Sequence, residues 1–426
     1  MKVIIKKSKL SGELLAPPSK SYTHRAIVLA SLSEESEIQN PLISRDTKAT
    51  IRACEKIGAE IEFEEEESIL RVRGVESSPS LPDDVINAEN SGTTLRFMTG
   101  VCSTIEGISI ITGDESLRRR PNTPLISSLN ELGAHVISTK GDGTAPLVIE
   151  GKLRGGETSI SGDVSSQFLS SLLISTPLAE EDTEIHVTSR IESRPYVNMT
   201  LQMLELSKIE IEERTDTFKV SGNQYFEFPN FFRIPGDFSS AAFIICGAVV
   251  TQSSVRVRNL EPSEQGDSAI IDILGDMGAE VGWDLKSRVV KVYPSELQGI
   301  EIDASDIPDL VPILAVVGTV AEGETLIYNA GRLRYKESDR LEAISTELRK
   351  MGADIEVEGN SLRVRRSSLF GCEVYGHRDH RIVMSLAIAG LIAEGETIIR
   401  GAEVVDVSYP NFFYDLYDIG ARLRLE

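Results

Sequence analysis

Six apolar segments recur along the chain, each opened by a short polar or charged motif. They begin at Ser21, Gly92, Ser166, Ser239, Asp309 and His380. Successive starts differ, by subtraction, by 71, 74, 73, 70 and 71 residues. Between them run six amphipathic segments that end in Gly-Ala, at Gly58-Ala59, Gly133-Ala134, Gly278-Ala279, Gly352-Ala353 and Gly420-Ala421, with Ser207-Lys208 the one departure. Self-similarity at a fixed spacing outranks any single motif as a fold signal. Here it predicts six equivalent helix N-termini, whose free N–H groups and dipole favour anions.

The amphipathic segments carry a helical period. In Asp46–Gly58, Ile51, Cys54 and Ile57 share one face, and in Asp339–Gly352, Leu341, Ile344, Leu348 and Met351 do the same. The glycine that follows supplies a left-handed C-cap. Short strands are expected at Asp84–Ala88, Thr158–Ser161, Ile300–Asp303 and Glu373–Tyr375, and an alternating one at Ala353–Val357. Ser, Gly, Pro or Asp stands before each apolar helix, as in Pro17-Pro18, Pro235-Gly236-Asp237 and Pro308-Asp309, where an N-cap is needed. The fold class is therefore α/β, in repeating units of one buried and one half-exposed helix.

At 426 residues the chain is too long for one ordinary core, and six repeats divide into three per domain. A seam near Gly236 and its symmetry mate near Ser19 give domains of residues 20–236 and of 1–19 with 237–426. The crossings lie near 19–20 and 236–238. Residues 223–234, rich in aromatics and followed by Pro235, lead towards the second crossing.

Hydrophobic residues make up 41% and charged residues 26%, a globular composition. The net charge of −22 argues against a nucleic-acid or anionic-membrane partner. Cys54, Cys102, Cys246 and Cys372 are far apart and form no Cys-x-x-Cys pair, so buried free thiols in a reducing cytoplasm are expected. The longest apolar stretches, Ala241–Val250 and Val311–Val320, are about half the ~20 residues a membrane span requires.

Against this acidic background, cations gather where helix N-termini are expected. Pro18–Arg25 offers Lys20, Ser21 and Arg25 to one anion, the lysine as a point charge and the arginine bidentately. In Asn90–Arg96, Gly92 admits a ligand close to the backbone and Arg96 follows one turn later on the same face. Ser165, Ser166 and Gln167 are neutral groups suited to phosphate or hydroxyl contacts, although a capped helix explains the serines alone. Basic clusters stand at Arg118-Arg119-Arg120, at Arg332, Arg334, Lys336 and Arg340, and at His377-Arg378-Asp379-His380-Arg381. The ligand implied is small and multiply charged. Asp309 and Glu337 are embedded in these cations and supply a candidate base and acid, the plain alternatives being a helix cap and an ion pair. His377 and His380 flank Asp379, but the arginines beside them would repel a metal cation. No phosphate-binding glycine loop and no dinucleotide fingerprint occurs.

Taken together, Pro-Ser-Lys-Ser, Asn-Ser-Gly-Thr-Thr-x-Arg, Arg-Pro after Gly-Asp-Glu-Ser-Leu, Ser-Ser-Gln-Phe, Arg-Pro-Tyr, Ile-Pro-Asp, Lys-Glu-Ser-Asp-Arg and Asp-His-Arg appear in this order. Over essentially the whole chain this resembles the 5-enolpyruvylshikimate-3-phosphate synthases. The resemblance implies two similar domains, each of three βαβαββ units with buried parallel helices and outer sheets, an inside-out α/β barrel that closes over its substrates. It implies transfer of the enolpyruvyl group of phosphoenolpyruvate to the 5-hydroxyl of shikimate 3-phosphate, without metal or cofactor. Carried over motif by motif, Lys20, Ser21, Arg25, Ser165, Ser166, Gln167, Ser193, Tyr196, Asp309 and Lys336 would hold shikimate 3-phosphate. Lys20, Asn90, Gly92, Arg96, Arg120, Gln167, Arg340 and Arg381 would surround phosphoenolpyruvate. The catalytic set would be Asp309 as base, Glu337 as acid, and Lys20. The partners expected are these two small molecules, with no nucleic acid and no membrane, on a monomeric cytoplasmic chain. Glyphosate would compete with phosphoenolpyruvate in the space beside Gly92.

Three departures from the family pattern stand out. Val407 occupies the place of a lysine found in many relatives, with Arg378 a candidate replacement. Arg332 stands where some carry asparagine, and Phe97 where many carry proline. The alternatives are the sister transferase acting on UDP-N-acetylglucosamine, whose loop cysteine is missing from Gly113–Pro121 here, and a non-catalytic anion-binding repeat protein.

Overall fold

The computed structural model describes residues 1–426. Twelve α-helices alternate between a buried and an amphipathic series: α1 (Lys20–Leu32), α2 (Arg45–Lys56), α3 (Gly92–Ser103), α4 (Thr123–Glu131), α5 (Ser166–Ser175), α6 (Arg194–Leu206), α7 (Phe238–Val250), α8 (Ile270–Asp276), α9 (Val311–Gly318), α10 (Arg340–Lys350), α11 (His380–Ile392) and α12 (Phe412–Asp418). The odd-numbered helices are buried on nearly every side, with polar residues mostly in their first turns and in small Ser and Thr positions. In α7 every residue is buried.

Six four-stranded sheets accompany them, all built to one plan. In one, Ile86–Asn87 runs parallel to Gly107–Thr112, which pairs antiparallel with Leu147–Gly151, and that strand with His135–Ser138. The order along the chain is strand, buried helix, strand, amphipathic helix, strand, strand. Every sheet remains open, so the architecture is α/β without a closed barrel.

Two compact units result. The first is Pro18–Ile234, and the second combines Met1–Pro17 with Pro235–Glu426. In the first, α1, α3 and α5 pack together at the centre, and in the second α7, α9 and α11 do so. Each unit completes its sheets with strands from a distant part of the chain, one strand in the first and two in the second, where Ser11–Leu15 pairs parallel with Ser254–Arg258. Phe231–Arg233 pairs parallel with Glu35–Gln39 in the first. Lys2–Lys6 lies between Glu396–Arg400 and Arg422–Leu425 in the second, antiparallel to both.

The local expectations hold with two corrections. Asp309 is not the N-cap of α9. It lies in a 3-10 turn, Pro308–Leu310, and α9 begins after it with Leu310 at the cap position and no side-chain bond there. Its carboxylate is engaged elsewhere, as described below. The second concerns the Gly-Ala register. After α6 the left-handed residue is Lys208, at φ 61°, where Gly58, Gly133, Gly278, Gly352 and Gly420 stand at φ 108°, 97°, 95°, 94° and 107°. The helix-ending turn is kept without its glycine, and the counterpart of Gly-Ala is Lys208-Ile209.

Candidate active site

In the first unit the motif residues converge at the N-terminal ends of α1, α3, α5 and α6. Arg25, one turn into α1 and 2% exposed, is bound on three sides. Its Nε donates to Thr200 Oγ1 at 2.8 Å, Nη1 to the Ser21 carbonyl at 3.0 Å and Nη2 to the Tyr196 carbonyl at 2.9 Å. The Phe97 ring lies 5.3 Å from its guanidinium carbon. Burial pushes its pKa down to about 10, which still leaves it charged at neutral pH. All three acceptors are neutral, so a fixed positive charge stands in a dry place without a carboxylate to cancel it. An anion gains most from such a group. Ser193, whose φ is 54°, precedes α6 and so turns the chain into the helix that carries Tyr196 and Thr200.

A second cluster surrounds Gly92. A methyl group at this residue would stand 3.3 Å from Arg120 Nη1 and 3.5 Å from both Arg96 Nη1 and Gln167 Oε1. Arg96 donates to Gln167 Oε1 at 2.5 Å, to Ser165 Oγ at 3.4 Å and to Asn122 Oδ1 at 3.2 Å, and stacks 4.8 Å from the Phe168 ring. Gln167 in turn donates to Thr93 Oγ1 at 2.9 Å. Arg120 reaches Asn90 Oδ1 at 2.9 Å, while Asn90 Nδ2 donates to Asp114 Oδ2 at 2.7 Å. Ser165 caps α5 and Ser166 is its first residue. Lys20, the first residue of α1, pairs with the buried Asp46 at 3.1 Å.

In the second unit the geometry is of another kind. Arg340, 1% exposed, gathers three carboxylates. Nη1 donates to Asp309 Oδ1 at 2.7 Å, Nη2 to Glu337 Oε2 at 2.7 Å, and Nε to Asp379 Oδ2 at 2.8 Å. Burial opposes the charge on Arg340, but Asp379, Glu337 and Asp309 together keep it firmly protonated. Lys336 stands 3.6 Å from Asp309 Oδ1, and Arg381 Nη2 stands 3.4 Å from Oδ2. Burial acts to raise the Asp309 pKa, yet Lys336, Arg381 and Arg340 outweigh it and hold the carboxyl well below its usual range. Arg381 also donates to the Ser239 carbonyl at 2.6 Å. The Ser239 hydroxyl donates to Asp267, 1% exposed, whose pKa is pushed up to about 7 by burial first and then by the charge on Asp309.

Some of the clustered cations are committed elsewhere. Arg119 pairs with Glu115 on the surface, and Arg334 with Asp339 at 2.9 Å. Arg378 is exposed, and Val407 is buried at the end of a 3-10 turn. Arg340 is placed as an organiser of carboxylates more than as an open anion ligand.

Four supporting residues were not identified from sequence. Asp46 and Asp379 are counter-charges whose partners lie in other helices, and Asp267 is the buried acid just described. The fourth is His24, which starts a buried chain from α1 to the cap of α3. Its Nδ1 is 2.6 Å from Thr50 Oγ1, Thr50 is 2.7 Å from Thr94 Oγ1, and Thr94 donates to Ser91 Oγ at 2.7 Å. Burial, with Lys20 and Arg25, holds the His24 pKa well below its ordinary value, so the ring is neutral. For Asp379 a signal existed, because it stands between two basic residues at a helix start.

Fixed cations beside an ionised carboxylate define a class, an enzyme that sets acid–base groups against small anions. Comparison with known proteins makes this specific. The family model "EPSP synthase (3-phosphoshikimate 1-carboxyvinyltransferase)" matches residues 4–416. A 3-phosphoshikimate 1-carboxyvinyltransferase of Methanocella arvoryzae is 50% identical over 421 residues, covering 99% of each chain. One from Halorubrum lacusprofundi is 44% identical over 447 residues, covering 100% of this chain and 99% of its own. The solved EPSP synthase of Acinetobacter baumannii superposes with a TM-score of 0.83 at 26% identity, covering 100% of both chains. The chain belongs to the EPSP synthase family and carries that family's activity, enolpyruvyl transfer from phosphoenolpyruvate to shikimate 3-phosphate in aromatic biosynthesis. The reading as a UDP-N-acetylglucosamine enzyme and the reading as a non-catalytic binder are set aside.

Proposed function

We propose that the residues divide this transfer between fixed charge and proton movement. Ser21, Arg25, Ser165, Ser166, Gln167, Ser193 and Tyr196 hold shikimate 3-phosphate, with Lys336 and Asp309 directed at its hydroxyls. Lys20, Asn90, Gly92, Arg96, Gln167 and Arg120 receive phosphoenolpyruvate, aided by Arg340 and Arg381. Glu337, after taking up a proton from solvent as the substrate anions enter beside it, passes it to the methylene carbon of phosphoenolpyruvate, which leaves a cationic carbon. The 5-hydroxyl oxygen adds there while Asp309 takes its proton. The tetrahedral intermediate then loses phosphate and returns a methyl proton to the Glu337 carboxylate, which restores the double bond. The arginine and lysine shell stabilises the departing phosphate.

The observation that carries this reading is Asp309 among Lys336, Arg340 and Arg381. In that field it is ionised but a weak base. Substrate anions cancel part of the field, so its basicity rises when they bind. Arg340 bridges Asp309 and Glu337 through adjacent nitrogens, which fixes the acid relative to the base. Net charge −22 speaks against nucleic-acid and anionic-membrane partners, and three buried free thiols fit a reducing cytoplasm; on this reading the chain acts there, as a monomer, on its two small substrates. The test is phosphate release from the two substrates, together with exchange of phosphoenolpyruvate methylene protons into solvent. Glu337→Gln should suppress that exchange; exchange at the wild-type rate would reassign the acid.

A further inference from the structure

We propose that one end of the second unit is a binding site for a small aromatic carboxylate, distinct from the residues of enolpyruvyl transfer. The two units follow one plan, but their corresponding ends are finished differently. In the first unit, residues 221–230 connect Thr217–Val220 to Phe231–Arg233 across the ends of the buried helices. Phe228 N donates to Ser33 Oγ, at the end of α1, at 2.9 Å, and Gln224 N donates to the Pro177 carbonyl, just past α5, at 2.9 Å. Phe226 and Phe228 are 0% and 3% exposed and belong to the core.

In the second unit the corresponding strands, Lys2–Lys6 and Ser11–Leu15, are joined by Lys7–Leu10 alone. Ser8 N donates to the Leu391 carbonyl at 3.0 Å and Leu10 N to Ser253 Oγ at 2.9 Å, so the short connection lies over the ends of α7 and α11. Only Leu10 enters the core. Beside it is a cavity of about 720 Å³, lined by Val250, Val320, Leu391, Lys7, Lys9 and Arg422 among others. This volume suits a small ligand.

The charges set the ligand's polarity. Lys7 is paired with Glu394, whereas Lys9 and Arg422 are exposed and make no ion pair. Two uncommitted cations above an apolar floor, in a chain of net charge −22, call for an anion with a hydrophobic body. The helix ends beneath carry partial negative charge, which turns the carboxylate away from the floor and towards Lys9 and Arg422. The first unit shows what fills such a place, a phenyl ring against the helix ends.

The probe is 3-phenylpropionate, titrated by calorimetry into the full chain saturated with shikimate 3-phosphate. One saturable site per chain is expected. Propionate and 3-phenylpropanamide should each bind at least about five-fold more weakly, since one lacks the ring and the other the charge. Lys9→Ala combined with Arg422→Ala should weaken binding about five- to tenfold, as loss of two exposed charge contacts predicts, and Val320→Trp should fill the cavity and abolish it. Turnover should be unchanged in both. The proposal is overturned by absence of saturation, by binding that the Lys9/Arg422 variant leaves intact, or by displacement on raising shikimate 3-phosphate. It is equally overturned if the chain takes up the peptide Asn-Gln-Tyr-Phe-Glu-Phe-Pro-Asn but not 3-phenylpropionate, which would make this a protein-docking surface.

Discussion

Replacing Asp267 with asparagine should stabilise the protein, and only at neutral and alkaline pH. The carboxyl is 1% exposed, accepts from Ser239 through Oδ2, and has no partner at Oδ1. Burial and the neighbouring Asp309 push its pKa up to about 7, against the opposing effects of Ser239 and Arg381. In the unfolded chain it titrates near 3.9. The folded state therefore binds this proton more tightly, and stability falls as pH rises from about 4 through about 7, where the loss levels off. A separation of roughly 3 pH units corresponds to roughly 4 kcal/mol, of which roughly 3 accrues above pH 5. Asparagine keeps the size and neutrality of the protonated acid and so removes this dependence. Thermal melts of both proteins at pH 5 and pH 8.5 measure the difference. The variant's advantage should grow by roughly 3 kcal/mol over this range, about 6–12 °C in Tm for a unit of this size. An advantage that does not change with pH would mean Asp267 is ionised throughout, and the reasoning about its burial would fail.

Asp309→Ala should lower kcat by about 10²–10⁴-fold with the fold intact by circular dichroism; retention of more than roughly a tenth of activity would leave Asp309 an ion-pair partner only. Gly92→Ala places a methyl 3.3 Å from Arg120 Nη1, so inhibition by glyphosate should weaken far more than turnover. Equal losses of both would show that the substrate needs that space as much as the inhibitor does. Lys208→Gly relieves a left-handed lysine at φ 61° and should raise stability by about 1 kcal/mol, read as the denaturation midpoint. An unchanged midpoint would mean that the Lys208 side chain contributes an offsetting contact.

The period of the buried helices was legible because an apolar run opened by a capping motif repeats at nearly constant spacing. The amphipathic faces were legible for the same reason, and Leu341, Ile344, Leu348 and Met351 are all at 0% exposure. The site residues in short motifs, such as Lys20, Arg25, Gly92, Arg96 and Gln167, could be named because motif and helix start coincide. What stayed hidden was lateral. Nothing along the chain says that Asp46 meets Lys20, that Thr50 links His24 to Thr94, or that one guanidinium binds Asp309, Glu337 and Asp379 together. The expected cap at Asp309 failed for this reason, since its carboxylate answers to Arg340, 31 residues away. Phe97, met first as a departure from a family pattern, proves to be the ring beneath Arg25.

The borrowed strands bear on how the chain is made. Residues 18–234 emerge from the ribosome in sequence and include everything their unit requires. Lys2–Lys6 cannot pair until residues 396–425 have been synthesised, so an apolar strand remains unsatisfied for most of translation. Lys2 N donates to the Glu426 carbonyl at 2.7 Å, and Glu426 N returns a bond to Lys2 at 2.8 Å, so the two ends of the described chain lie side by side. A circular permutant that starts at Pro235, runs through Glu426 into Met1, and ends at Ile234 would make both units contiguous. Each could then fold as it is synthesised, and the permutant should need less help from chaperones than the natural order does.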